Sequence, residues 1–186
     1  MRTVTFGGAT SLDNFLARSD GGVDWLRFND GAADIMKAFW SSVDTVLMGR
    51  KTYEAAARAN PGASKRKRKA PAAGRQTGPT TYVFSKTLPD RDGLEIVRED
   101  VVSFVRRLKE EPGKDICLMG GGELARPLFE AGLIDRVGFN VHPILLGAGI
   151  PAFHAMSHQI DLQLVECRPL GDGCVYLDYR VTGGGR

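Results

Sequence analysis

A chain of 186 residues, 42% hydrophobic and 25% charged, has the size and balance of one globular domain with a substantial core. No apolar run approaches the roughly 18 residues of a membrane span, and MRTVTFGGATSLDN turns polar too early for a secretory signal, so a cytoplasmic protein is expected. The formal charge of +3 is local: seven cations and no acid lie from Arg58 to Arg75, and the remainder of the chain is acidic, which argues against a broad basic face for nucleic acid.

The chain opens on a predicted strand over 3–6, with Val4 and Phe6 on one face, followed by the small residues Gly7, Gly8 and Ala9. After SLDNFLA (11–17) and a polar stretch, Asn29 or Asp30 is placed to cap a helix over 32–41. Its apolar stripe is Ile35, Met36, Phe39 and Trp40, and the two aromatics read as core. DTVLMGR (44–50) then reads as strand, glycine and helix start. Arg50, Lys51 and Thr52 sit on the first turn of that helix. Cations oppose the positive end of a helix dipole, so they make sense there if an anion offsets them. Residues 60–79 have no hydrophobic period and read as a flexible surface loop. Its KRKRK run has no interleaved aromatic, which favours a solvated loop over a nucleic-acid patch.

TTYVF (80–84) is a predicted strand ending in Ser85 and Lys86, at the strand end where α/β folds place ligands. A short strand over 94–97 precedes a helix over 101–109. Asp100 caps that helix, and Val101, Val102, Val105 and Leu108 form its buried stripe. ICLMGGGELARPLFEA (116–131) repeats the strand–glycine–helix pattern, with Leu124, Leu128 and Phe129 at helical spacing and Gly132 as the stop. Such a turn aims backbone N–H groups and a helix dipole at one point. Alone it fits a tight structural turn as well as a phosphate site.

A strand over 134–143 leads into the glycine-hinged loop ILLGAGIPAF. The chain closes on a hairpin of strands 162–166 and 175–181 joined by PLGDG, with residues 183–186 as a disordered tail. His154 and His158 share a helical spacing, yet no acidic or cysteine ligand accompanies them, so no metal is expected; His142, before a proline, reads as structural. Cys117, Cys167 and Cys174 cannot all pair and form no CxxC, so reduced thiols are expected.

Taken in order, SLDNFLA, VLMGRKTYE, VFSKTLP, MGGGELARPLFEAGLIDRV and PILLGAGIPAF resemble the dihydrofolate reductase superfamily, and most closely its branch shared with the riboflavin-biosynthesis reductase domain. The resemblance implies one domain over 1–182 with a three-layer α/β fold. That fold has a mostly parallel sheet of about eight strands, an antiparallel C-terminal hairpin and about four flanking helices. It also implies NADPH as cofactor and, since related reductases form dimers, a homodimer. By the same resemblance Gly49, Arg50, Lys51 and Thr52 hold phosphates, and Ser85 and Lys86 meet the ribose 2′-phosphate. Gly120, Gly121 and Gly122, with Glu123 and Leu124 behind them, line the pyrophosphate and nicotinamide through a cis Gly120–Gly121 bond. Ala9 and Leu16 would touch the nicotinamide side.

The chain departs from the pattern in two places. Asn14 replaces the glycine of SLDG, a change that left-handed geometry tolerates. Asp34, the nearest match to the substrate-binding carboxylate of the first helix, is one residue out of register. Asp13 and Asp30 are the alternatives. The implied activity is hydride transfer to a C=N or C=O of a small heterocycle, resembling 5-amino-6-(5-phosphoribosylamino)uracil reductase more than dihydrofolate reductase proper. Two rivals are an NADPH-binding module without turnover and nucleic-acid binding through KRKRK.

Overall fold

The structure is a computed structural model that describes residues 1–27, 30–59, 78–91 and 94–184. The basic run and nearly all of the expected 60–79 loop lie outside the described residues, as does Asn29, one of the two expected caps. Ten strands appear among the described residues: β1 (Val4–Ser11), β2 (Phe15–Ala17), β3 (Val43–Gly49), β4 (Thr80–Phe84), β5 (Glu95–Val97), β6 (Asp115–Met119), β7 (Arg136–His142), β8 (Ile150–Pro151), β9 (Ile160–Pro169) and β10 (Val175–Gly184). Four helices accompany them: α1 (Asp30–Ser42), α2 (Arg50–Ala59), α3 (Val101–Glu110) and α4 (Gly122–Glu130).

Eight strands form one sheet in the order β5-β4-β3-β6-β1-β7-β10-β9; β2 and β8 form a separate two-stranded ribbon. From β5 to β7 every pairing is parallel, and β10 joins β7 and β9 antiparallel. This is the expected mixed sheet. On one face α3 and α4 bury Phe104, Val105, Leu108, Leu128 and Phe129 against Val4, Phe6 and Leu118. Phe6 meets the edges of Phe129, Phe139 and Phe153 at 5.7, 5.2 and 5.7 Å, a geometry that matches the positive ring edge to the negative face. On the other face Phe39, Trp40 and Tyr53 pack on Val46, Met48, Val83 and Cys117.

Topology decides where a ligand can enter. β3 continues through α2 to β4 on one side, whereas β6 continues through α4 to β7 on the other. Adjacent β3 and β6 therefore send their connections apart, and a crevice opens at their carboxyl ends, the switch point at which open α/β sheets bind ligands.

Four expectations change. The first strand does not stop at the glycines: β1 runs to Ser11 and pairs with β7 from Thr5↔Arg136 to Ser11↔His142. A side chain at Gly7 would collide with the Gly138 carbonyl, so glycine here lets two backbones close up and does not break the strand. Nor do residues 183–186 all form a tail, because Gly183 and Gly184 pair with Asp161 and Ile160 and so extend the hairpin. Met36 is 41% exposed; α1 overlies only part of its face of the sheet, and Met36 looks outward. All peptide bonds among the described residues are trans, including Gly120–Gly121. Gly120 (φ 58°) and Gly121 (φ 74°) reverse the chain with two successive left-handed residues, so the turn closes without a cis bond.

Candidate cofactor rim and substrate groove

Three of the sequence-predicted segments meet at the switch point. Thr52 lies in the first turn of α2, and its side chain covers the glycine turn after β6. A Cβ built on Gly120 would sit 3.1 Å from Thr52 Cγ2, and one on Gly121 would sit 3.6 Å from Thr52 Oγ1. Gly121 caps α4 with no side-chain hydrogen bond, so the amino terminus of that helix has no side-chain cap at the switch point, although Leu124 N–H bonds the Gly121 carbonyl at 2.8 Å. Gly49, at the end of β3, borders open space, since a Cβ there would meet nothing within 4 Å. Gly122 differs: a Cβ there would lie 2.5 Å from the Ala152 carbonyl oxygen and 2.8 Å from His154 Cδ2. Its glycine is therefore required by packing against the 150–154 segment. Glu123 is exposed on the first turn of α4, where its charge suits the dipole, and Leu124 packs on the core.

The cations of the rim are unequally free. Arg50 pairs with Glu54 one turn along α2, at 3.0 Å. Lys51 and Lys86 are exposed. Ser85 Oγ accepts the N–H groups of Thr87 (3.2 Å) and Leu88 (2.9 Å), which fixes the turn that presents Lys86. β4 adjoins β3, so Ser85 and Lys86 stand on the same rim as Gly49 and Thr52. Open space at Gly49, uncapped helix N–H groups and exposed lysines together suit an extended polyanionic nucleotide.

The carboxylates proposed for chemistry have different surroundings. Asp13 accepts hydrogen bonds from Ser11 Oγ (2.6 Å), Leu146 N (3.1 Å) and Gly147 N (2.8 Å). The Ser11 hydroxyl, foremost, and these amides hold its carboxyl below the usual range, so it is an anion at neutral pH. It acts as a latch between the 11–16 turn and the 143–149 loop. Asn14 adopts φ 63°, the left-handed geometry that glycine would supply, and its carbonyl accepts from Ala152 N at 2.9 Å, tying the 11–16 turn to the residue just past β8. Ala9, on β1, lies in register with Asn140, while Leu16 is half-buried on β2 against the main core. Asp34 is exposed on α1; the side chain of Asp30 is not among those described.

Asp34 also borders a groove of about 500 Å³ between α1 and the β1–β7–β10–β9 half of the sheet. α1 supplies Ile35, Ala38 and Phe39 as its apolar wall, and the sheet supplies Thr5, Arg136, Tyr176 and Asp178 as its floor. Arg136 forms an ion pair with Asp178, which raises the Arg136 pKa further, and Arg168 pairs with Glu166. Sequence reasoning missed this floor because it is assembled from every second residue of strands distant in sequence, and alternation alone reads as an ordinary solvated face. His154 and His158 line a different, apolar pocket with Phe129, Phe153 and Leu162. Among the described residues no group of three or more His, Cys, Asp or Glu side chains converges as for a metal.

Residues 2–176 match the RibD C-terminal domain, and the chain belongs to that family. It is 33% identical over 175 residues to YwjB of Bacillus subtilis (strain 168), covering 92% of this chain and 93% of that protein. Among solved structures it superposes on a pyrimidine reductase-like protein of Corynebacterium diphtheriae (TM-score 0.69, 18% identity, 98% and 92% of the two chains). It also superposes on the dihydrofolate reductase of Enterococcus faecalis in complex with NADP(H) (TM-score 0.65, 12% identity, 97% of each chain). The fold is that of the dihydrofolate reductases.

Proposed function

We propose that the chain is an NADPH-dependent reductase that delivers hydride to a C=N or C=O bond of a small heterocycle, an aminopyrimidine of the riboflavin-pathway kind ahead of a folate. The observation that carries this reading is the convergence of Thr52 on Gly120 and Gly121 at the switch point, beside an α4 amino terminus without a side-chain cap. Family membership and the NADP(H) complex of a protein with the same fold support it.

When bound, the dinucleotide would supply hydride from its nicotinamide ring. The first-turn N–H groups of α4 and the Lys51 ammonium would hold the pyrophosphate, Thr52 would donate its hydroxyl beside them, and Lys86 with Ser85 would meet the 2′-phosphate. Asp13 would keep the 143–149 loop folded over the site. Asp34, the carboxylate on the α1 wall of the groove, would orient the substrate or pass a proton to it.

Titration of the protein with NADPH and NADH, before and after Lys86→Ala, tests the reading. NADPH should bind at least about tenfold tighter than NADH, and the variant should erase most of that difference. Equal affinity of the unaltered protein for both nucleotides would overturn it.

A further inference from the structure

We infer that the free edge of β9 is the surface through which a second copy of this chain binds, the two β9 strands pairing antiparallel along their whole length. The sheet ends on β5 at one side and on β9 at the other. β5 is an edge of three residues, too short to template a neighbour, whereas β9 is ten residues long and exposes Leu162 (44%), Leu164 (52%) and Val165 (46%). Edge strands are ordinarily blunted by lysine, by an internal proline or by brevity. β9 carries no lysine, and its proline stands at the last position. Its outer row of backbone N–H and C=O groups has no strand neighbour among the described residues.

The order of residues along β9 selects a second copy over any other strand. Ile160 and Leu162 line the apolar pocket beside Phe129 of α4, whereas Glu166 and Arg168 line the groove on the α1 side of the sheet. Strict alternation would put all four on one face. A bulge intervenes, because Leu164 pairs with Tyr179 and Glu166 with Asp178, which leaves Val165 over. Set a two-fold axis between Leu164 and Val165, and the strands overlap from Ile160 to Pro169 with matched chemistry on both faces. On the α4 side Ile160 opposes the partner's Pro169, Leu162 the partner's Cys167, and Leu164 the partner's Val165. On the α1 side Asp161 opposes the partner's Arg168, and Gln163 opposes the partner's Glu166. The symmetry repeats every contact. Asp161 and Arg168 are both exposed, and they share a face only because of the bulge. Apolar and opposite-charge pairs directly across a ladder each favour it. A slip by one residue destroys the match, setting Leu162 against the partner's Glu166 and Asp161 against the partner's Cys167. In the matched register Arg168 bridges Glu166 of its own chain and the partner's Asp161. The homodimer expected from the sequence is thereby given a surface.

Sedimentation velocity of the full chain at micromolar concentration, without nucleotide, should give twice the 20.2 kDa of one chain. Leu164→Lys changes a side chain that is half exposed in the single chain. Its circular dichroism should therefore match the unaltered protein while it sediments as one chain. Asp161→Arg sets like charges opposite each other on both sides of the axis and should weaken self-association at least about tenfold. Adding Arg168→Asp to the same chain exchanges the charges and should recover most of that loss. A monomeric unaltered protein, a Leu164→Lys protein that remains a dimer, or a double variant that associates no better than Asp161→Arg alone would each overturn the inference. Because association is read without nucleotide, its failure is distinguishable from failure of the reductase reading.

Discussion

His142 depends on being neutral. Burial, reinforced by the Arg27 guanidinium, holds its pKa below the ordinary histidine value. The uncharged ring accepts the Arg27 backbone N–H at Nδ1 (3.2 Å) and turns its edge to Trp25 at 5.3 Å. A histidine with a depressed folded-state pKa contributes stability that is present above its unfolded value, about 6.5, and is lost as pH falls through that value toward the folded one. The melting temperature should therefore drop between pH 7.5 and 5.5, and His142→Gln should reduce that drop; an unchanged pH dependence would remove His142 as its source. Two glycines separate folding from binding. Gly120→Ala places a side chain at φ 58° and 3.1 Å from Thr52 Cγ2, at a cost of about 1–2 kcal/mol for the left-handed geometry alone. Gly49→Ala meets nothing within 4 Å, so its melting temperature should match the unaltered protein while NADPH binds more weakly. Equal NADPH affinity in Gly49→Ala would mean that the open space beside Gly49 is not used.

The strand–glycine–helix units were legible because their signals are local: an apolar run, a glycine and a helical stripe are adjacent in sequence. Asp100 is a case in point; its carboxylate accepts the Ser103 N–H at 2.9 Å, as its position before the helix implies. Asp13 shows the limit of that reading. From sequence it was a polar residue near a cleft, yet its donors Leu146 and Gly147 lie more than 130 positions away, and nothing in SLDN announces them. The latch makes its own prediction. In Asp13→Ala the amides of Leu146 and Gly147 should exchange with solvent markedly faster, while those of the β6 core strand keep their protection. Unaltered exchange at both amides would show that the loop is held by other contacts. The groove was equally illegible, because Arg136, Tyr176 and Asp178 become neighbours only when β10 docks on β7.

For the molecule as a whole, the order of strands matters more than any one motif. A chain that places β6 between β3 and β1 sends α2 and α4 to opposite sides of the crevice, and the parallel segments follow from their apolar runs. That arrangement brings Thr52, Ser85 and the Gly120–Gly121 turn to one rim from three distant parts of the chain. The most direct test is a map of backbone amide chemical shifts as NADP⁺ is added. Thr52, Lys86 and residues 120–123 should shift together and saturate at one common affinity, with the outer face of α3 unmoved. Shifts confined to one of these segments, or none at any of them, would contradict the account.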